Sequence, residues 1–317
     1  MISSPSFLSS ISHDSLILLF EISNTIWINL PFGVWQESDS QNPYFNMTTT
    51  RVAILDCDDT VPEVAPTYGA RYSDIFITLL QAAAQRIPNL PEVTFSAYDP
   101  RVGHFPDPNT VDAILVTGGI VGVNDPLPWI PQLCQFIKGV YEQHPEVRIF
   151  GACLGHQMVS YALLRDHGVA VEVNPKGYQF GVRSIQLNPQ YATSFPENAR
   201  QLKQLKMQVA HGDHVRLPST PLPIGWVSVG STDCCDIHGL YLPDRVLTLQ
   251  GHFELNEEIC YKSIKYFFTP EKGYTPEFIE AALASTKGED DSLLIAELVL
   301  DFLIGGNKTR SLLPASV

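Results

Sequence analysis

Val147–Tyr161 reads VRIFGACLGHQMVSY, and the fold turns on how that stretch is parsed. Val147 to Phe150 is a short apolar run of strand character. It breaks into Gly151-Ala152-Cys153-Leu154-Gly155, and Gln157 to Leu164 continues at helical spacing. A side chain on a tight strand-to-helix turn stands clear of the sheet edge. Small flanking residues let the backbone turn, and the helix N-terminus directs partial positive charge at the site. A thiol held there is expected to have a lowered pKa. Cys153 therefore reads as a nucleophile, although a lone Cys is more often a small buried hydrophobe.

The 317 residues suffice for a large core, either one large α/β domain or two small ones. Their net charge of -14 disfavours phosphate backbones, so nucleic acid is not an expected partner. The six cysteines show no C-x-x-C pair and no zinc-ligand spacing. That pattern fits reduced thiols and a cytoplasmic setting.

Residues 1–46 differ in composition from the rest of the chain and contain almost no basic residue. Their apolar stretch is broken by Glu21, Asn24, Asn29 and Pro31, so neither a membrane span nor a signal peptide is expected. They read as a disordered or spurious extension, with the working domain starting at Met47.

From there strands and helices alternate. Strands are expected at Val52–Cys57, Val93–Tyr98 and Ala113–Thr117, and helices at Tyr72–Ile87 and Trp129–His144. This repetition predicts a mostly parallel sheet covered on both faces, with ligands at the carboxyl ends of its strands. The second half reads as β-rich, with strands at Val169–Val173, Tyr178–Leu187, Met207–Ala210, Trp226–Ser231 and Arg245–Leu249. Helices are expected at Asn256–Phe268, Pro276–Ala284 and Asp291–Ile304, the last capped by Asp291 and packed on the domain through an apolar stripe.

A thiolate nucleophile needs a base, and the base an orienting acceptor. His252 and Glu254 follow a strand and Gly251. At i and i+2 they can project the same way, so the carboxylate can hold the imidazole. Gly118-Gly119 after a buried strand, and the amide of Leu154, are candidate oxyanion donors.

Gly151-Ala152-Cys153-Leu154-Gly155-His156-Gln157 and Gly251-His252-Phe253-Glu254 together resemble the nucleophile elbow and the G-H-P-E motif of class I glutamine amidotransferases. The likeness spans about residues 51–270. It is nearest to a stand-alone fungal branch similar to plant γ-glutamyl peptidases, through Asn124-Asp125-Pro126, Asn174-Pro175-Lys176-Gly177 and His211-Gly212-Asp213-His214-Val215.

The resemblance implies a flavodoxin-like α/β fold at residues 47–270, followed by a helical tail at 271–317. It implies a Cys153–His252–Glu254 triad and a γ-glutamyl thioester on Cys153. It also implies oxyanion amides from Gly119 and Leu154, and substrate contacts at Gly118 and Gln157. Phe253 stands where proline is usual, so a looser turn is expected there. No cofactor is implied. His211 and His214 with Asp213 fall short of a ligand set, so no metal is expected, and Cys234-Cys235 read as incidental.

Three activities compete. One is hydrolysis of glutamine or a γ-glutamyl peptide, in glutathione metabolism or in a secondary-metabolite pathway. Another is ammonia supply to a separate synthetase partner. The third is a regulatory protein that has kept the fold.

Overall fold

The computed structural model describes residues 49–88 and 90–305, and the backbone of four strands ahead of them. Those four, Phe7–Ser12, Ser15–Ile22, Thr25–Asn29 and Trp35–Ser38, pair antiparallel in chain order as a unit of their own.

The site is positioned by a seven-stranded sheet. β1 (Thr50–Leu55), β2 (Val93–Tyr98), β3 (Ala113–Val116), β4 (Arg148–Ala152) and β12 (Val246–Leu249) are parallel and lie in the order β2-β1-β3-β4-β12. Two short antiparallel strands, β11 (Leu240–Leu242) and β9 (Val227–Ser228), extend the β12 edge. The order reverses between β1 and β3. That switch point opens a crevice at the carboxyl ends of the strands, where ligands bind in doubly wound sheets. The architecture is the flavodoxin-like α/β class, with a mostly parallel sheet flanked by helices.

Burial on both faces explains why the central strands run apolar from Val52 in β1, Ala113 in β3 and Ile149 in β4, whereas the edge strand β2 alternates and has no buried residue. Val52 and Ile54 of β1 point into one core and Ala53 and Leu55 into the other. Leu115 and Ile114 of β3, and Phe150 and Ile149 of β4, divide in the same way. The first core is closed by α1 (Tyr72–Ala84) and α6 (Ser292–Leu303), and the second by α2 (Trp129–Gln143) and α3 (Leu154–Leu164). Arg86, just past α1, pairs with the buried Glu297 of α6. Among the described residues no helix is long and apolar enough to cross a membrane.

The second half adds the antiparallel hairpin β6 (Gln179–Leu187) and β7 (Gln204–His211), and a two-stranded ladder of β5 (Ala170–Val173) with β8 (Asp213–Arg216). The single strand expected at Trp226–Ser231 divides at Val229. Val227 pairs with Tyr241 in the main sheet, whereas β10 (Gly230–Ser231) pairs with β6. The Val229 amide donates to Gly239 instead, so one short run stitches two sheets together.

Asp291 also departs from expectation. Its carboxylate accepts from the Lys206 amide of β7 rather than capping α6, and Asp290 accepts from Ser292 at the helix start. The other helices of ten or more residues among the described residues are α4 (Glu257–Phe267) and α5 (Pro276–Ser285).

Candidate active site

β4 delivers Cys153 at the centre of the sheet. Its amide donates to Leu249 of β12 at 2.8 Å, and its carbonyl accepts from the Gln157 amide at 3.1 Å as α3 begins. Cys153 itself sits at φ 51°, ψ -108°. Among the described non-glycine residues only Asp244 shares a positive φ. Such a conformation costs on the order of 1–3 kcal/mol and persists only where its surroundings impose it.

The flanking glycines do the imposing. A Cβ on Gly155 would lie 2.1 Å from the Val116 carbonyl oxygen, and one on Gly151 would lie 2.4 Å from the Gly155 carbonyl oxygen. Backbone therefore meets backbone where helix and strands cross, and no larger residue fits.

β12 delivers the candidate base, His252, from the neighbouring strand end. A Cβ on Gly251 would strike Met207 Sδ at 2.5 Å, and the His252 amide donates to Gln208 of β7 at 2.7 Å. His252 Nδ1 lies 2.6 Å from Glu254 Oε1. With Nδ1–H donated to the carboxylate, the other ring nitrogen is left for the neighbouring Cys153 thiol. Burial opposes charge on this ring. The Glu254 carboxylate and Cys153 outweigh burial through charge and hydrogen bonding, and hold the His252 pKa well above its usual value.

Cys153, His252 and Glu254 are only 5%, 5% and 4% exposed, and Cys153 and His252 open onto a cavity rather than bulk water. That cavity is about 450 Å³. Cys153, His252, Gly119, Leu154 and Gln157 line it at one end, and Tyr178, Phe180, Phe267 and Phe268 form an aromatic wall. Phe180 and Phe268 meet edge to face at 4.9 Å.

Gly118 is backed onto the pair. A Cβ there would come 2.9 Å from His252 Cε1 and 3.5 Å from Cys153 Cβ. Gly119 abuts Leu154, whose amide opens α3 and has no partner within the helix. The Gln157 side chain reaches the cavity, but its Nε2 is engaged by the Asp213 carbonyl at 3.3 Å and by Gln250 Oε1 at 3.2 Å. A neighbour that the sequence did not signal is the Ala210 carbonyl of β7, 3.9 Å from Cys153 Sγ. No local motif marks it, because β7 is brought there only by the hairpin's packing.

Phe253 does not loosen the turn. Its ring is buried edge to face between Phe76 at 5.6 Å and Phe150 at 5.9 Å, so packing fixes this stretch of backbone. Installing the expected proline, Phe253→Pro, should empty that site and cost about 3–5 kcal/mol, the range for truncating a buried Phe. A urea melt with an unchanged midpoint would contradict the packing argument.

The pairing considered for His211 and His214 does not form. His214 lies 3.8 Å from Glu172, whereas the His211 ring faces His238 with centroids 5.9 Å apart. Cys235 is buried beside them rather than incidental.

The family model for glutamine amidotransferase class-I matches residues 74–259. A glutamine amidotransferase-like protein of Schizosaccharomyces pombe is 29% identical over 261 residues, covering 80% of this chain and 98% of that protein. Gamma-glutamyl peptidase 3 of Arabidopsis thaliana is 24% identical over 209 residues, covering 64% of this chain and 80% of that protein. A solved glutamine amidotransferase from Thermotoga maritima shares the fold. It has a TM-score of 0.55 and 19% identity, and the match covers 80% of this chain and 98% of that one.

Proposed function

This chain belongs to the class-I glutamine amidotransferase family, and on that premise we propose that it hydrolyses a γ-glutamyl amide through a thioester on Cys153. The observation that carries the reading is the buried set of Cys153, His252 and Glu254, in which Cys153 and His252 line the cavity and Glu254 holds His252 from behind. The Cys153 thiolate attacks the γ-carbonyl carbon, and the amides of Gly119 and Leu154 receive the developing oxyanion. The His252 imidazolium gives its proton to the leaving nitrogen as the C–N bond breaks, which leaves the thioester. Water then attacks, His252 takes its proton, and glutamate departs with the thiolate restored. Glu254 holds the ring's orientation and balances its charge. The working unit is residues 47–270, with α5 and α6 supporting it.

The cavity favours a conjugate over free glutamine. Its volume falls in the range of about 300–1,000 Å³ that accommodates drug-sized ligands. Its aromatic wall suits an apolar leaving group, and the Arabidopsis relative's name points the same way.

Glutamate release should be measured with glutamine, glutathione and a γ-glutamyl dipeptide with an aromatic second residue. The dipeptide is expected to exceed glutamine at least ~10-fold in kcat/KM, about the discrimination one good apolar contact provides. Equal or reversed rates would remove the conjugate reading. Release that appears only with a co-purifying protein would favour ammonia supply to a partner. No release from any of them, and no labelling of Cys153 by a glutamine-analogue electrophile, would sink hydrolysis itself.

Gly118→Ala offers a geometric check. Its new methyl group must displace the His252 ring, and misplacement by about an ångström costs on the order of 10²-fold in rate. Turnover of the preferred substrate at near-wild-type levels, in a folded variant, would mean the ring has room that the structure denies it.

A further inference from the structure

We propose that His211, Cys235 and His238 form a binding site for a zinc-type divalent ion, a site outside the Cys153 relay. His211 ends β7, and Cys235 and His238 lie on the loop between β10 and β11. One ligating atom from each lies within 4.8 Å of the other two, and the residues are 5%, 1% and 1% exposed.

The hydrogen bonds around the two rings leave one nitrogen without a partner on each, and on His211 the bond to a carbonyl makes that nitrogen the lone pair. His211 Nδ1–H donates to the Asp213 carbonyl at 2.9 Å, and its Nε2 is buried without a partner. His238 Nε2 lies 3.0 Å from Thr232 Oγ1, and its Nδ1 is buried without a partner. Metal-ligating histidines are held in this way, with the far nitrogen anchored to a carbonyl or other polar group. Two buried imidazole nitrogens without partners are costly unless something fills the space between them.

The donor set selects the ion. Two imidazoles and a thiol suit Zn²⁺ and its relatives and do not suit Ca²⁺ or Mg²⁺. Bonds of ~2.0–2.3 Å imply ligand spacings of roughly 3.5 Å, so the three side chains close by about an ångström on binding. Cys235 Sγ donates to the Ile237 carbonyl at 3.4 Å. On binding, the thiol gives its proton up to solvent as the sulfur–metal bond forms. A water completes the four-coordinate shell.

The ion would tie the end of β7 to the 232–239 loop. His211 also lines the catalytic cavity, and its neighbour Ala210 contacts Cys153. The site is thus a clamp on one wall of that cavity.

The test uses the full chain carrying Cys153→Ala, which removes the other thiol–imidazole pair that could capture the metal. The protein is stripped of metal and titrated with Co²⁺ near neutral pH. The expected result is one equivalent bound, with tetrahedral visible bands and a near-ultraviolet thiolate-to-cobalt band. Zn²⁺ should displace the cobalt, and the melting temperature should rise. Adding Cys235→Ser should abolish the thiolate band and weaken binding at least ~10-fold, in line with losses at metal sites. Absence of the thiolate band in the Cys153→Ala protein would overturn the proposal, and that reading does not depend on the second variant folding. Persistence of the band after Cys235→Ser would also overturn it. Because neither readout depends on turnover, the outcome is separate from that of the hydrolase reading.

Discussion

Cys153→Ala is expected to lower glutamate release from a γ-glutamyl substrate by at least ~10⁴-fold, the scale of nucleophile loss in covalent catalysis. The loss falls on kcat, because the cavity and its aromatic wall are untouched and substrate still binds. Steady-state kinetics read it directly, and mass spectrometry of quenched wild-type enzyme should show a glutamyl adduct that the variant lacks. A variant retaining even ~1% of activity would assign the chemistry to another residue.

A companion substitution tests the elbow itself. Cys153 occupies φ 51°, a region where a side chain is strained and glycine is not. Relief of on the order of 1–3 kcal/mol is opposed by the ~0.5–1 kcal/mol that glycine's freer unfolded chain costs. Cys153→Gly should therefore be more stable than Cys153→Ala by about 1 kcal/mol in urea melts. Equal midpoints would mean that the backbone at this turn is relaxed.

Glu254→Gln is expected to cost ~10³–10⁴-fold in kcat/KM while preserving shape, the effect seen when a carboxylate that orients a catalytic histidine becomes an amide. It should also move the pH profile. In the wild type, burial disfavours the His252 imidazolium, but Glu254 and Cys153 overcome that and raise its pKa well above the ordinary 6.5. The alkaline limb of activity reports loss of that proton, which the leaving nitrogen needs. Without the carboxylate the pKa drops, so the alkaline limb should shift to lower pH.

Stability follows the same sign. A raised folded-state pKa contributes stability that is fully present below the unfolded value and lost as pH climbs through the folded one. Wild-type melting temperatures should therefore decline across that alkaline window, and Glu254→Gln should flatten the decline. An unshifted limb and an unchanged slope would show that Glu254 does not support the ring's charge.

Much of this arrangement is legible in the sequence because its causes are local. The central parallel strands announce themselves as apolar runs, since both faces are buried. The bracket of Gly151 and Gly155 around Cys153 records a backbone crossing that only glycine permits. His252 and Glu254, two apart after a strand, carry their alignment in their spacing. The features that the sequence does not announce have distant causes. β8, Asp213–Arg216, has no apolar pattern and exists because β5 lies beside it. β11 is three residues long and is held by β9 and β12. Phe253 looks like a departure from a motif until Phe76 and Phe150, far apart in the chain, are seen to enclose it. His211 found its partners Cys235 and His238 more than twenty positions away, not at the adjacent His214.

The backbone at Cys153 has a historical consequence. On the proposed chemistry, the residue that catalysis uses is one whose replacement by glycine is expected to stabilise the fold, so relaxed selection and thermodynamics push in the same direction there. A lineage released from catalysis gains robustness by drifting to glycine at this position, whereas most losses of function weaken a protein or leave it unchanged. Glycine at the equivalent turn of a related chain would therefore mark a descendant that has left enzymology and kept the scaffold.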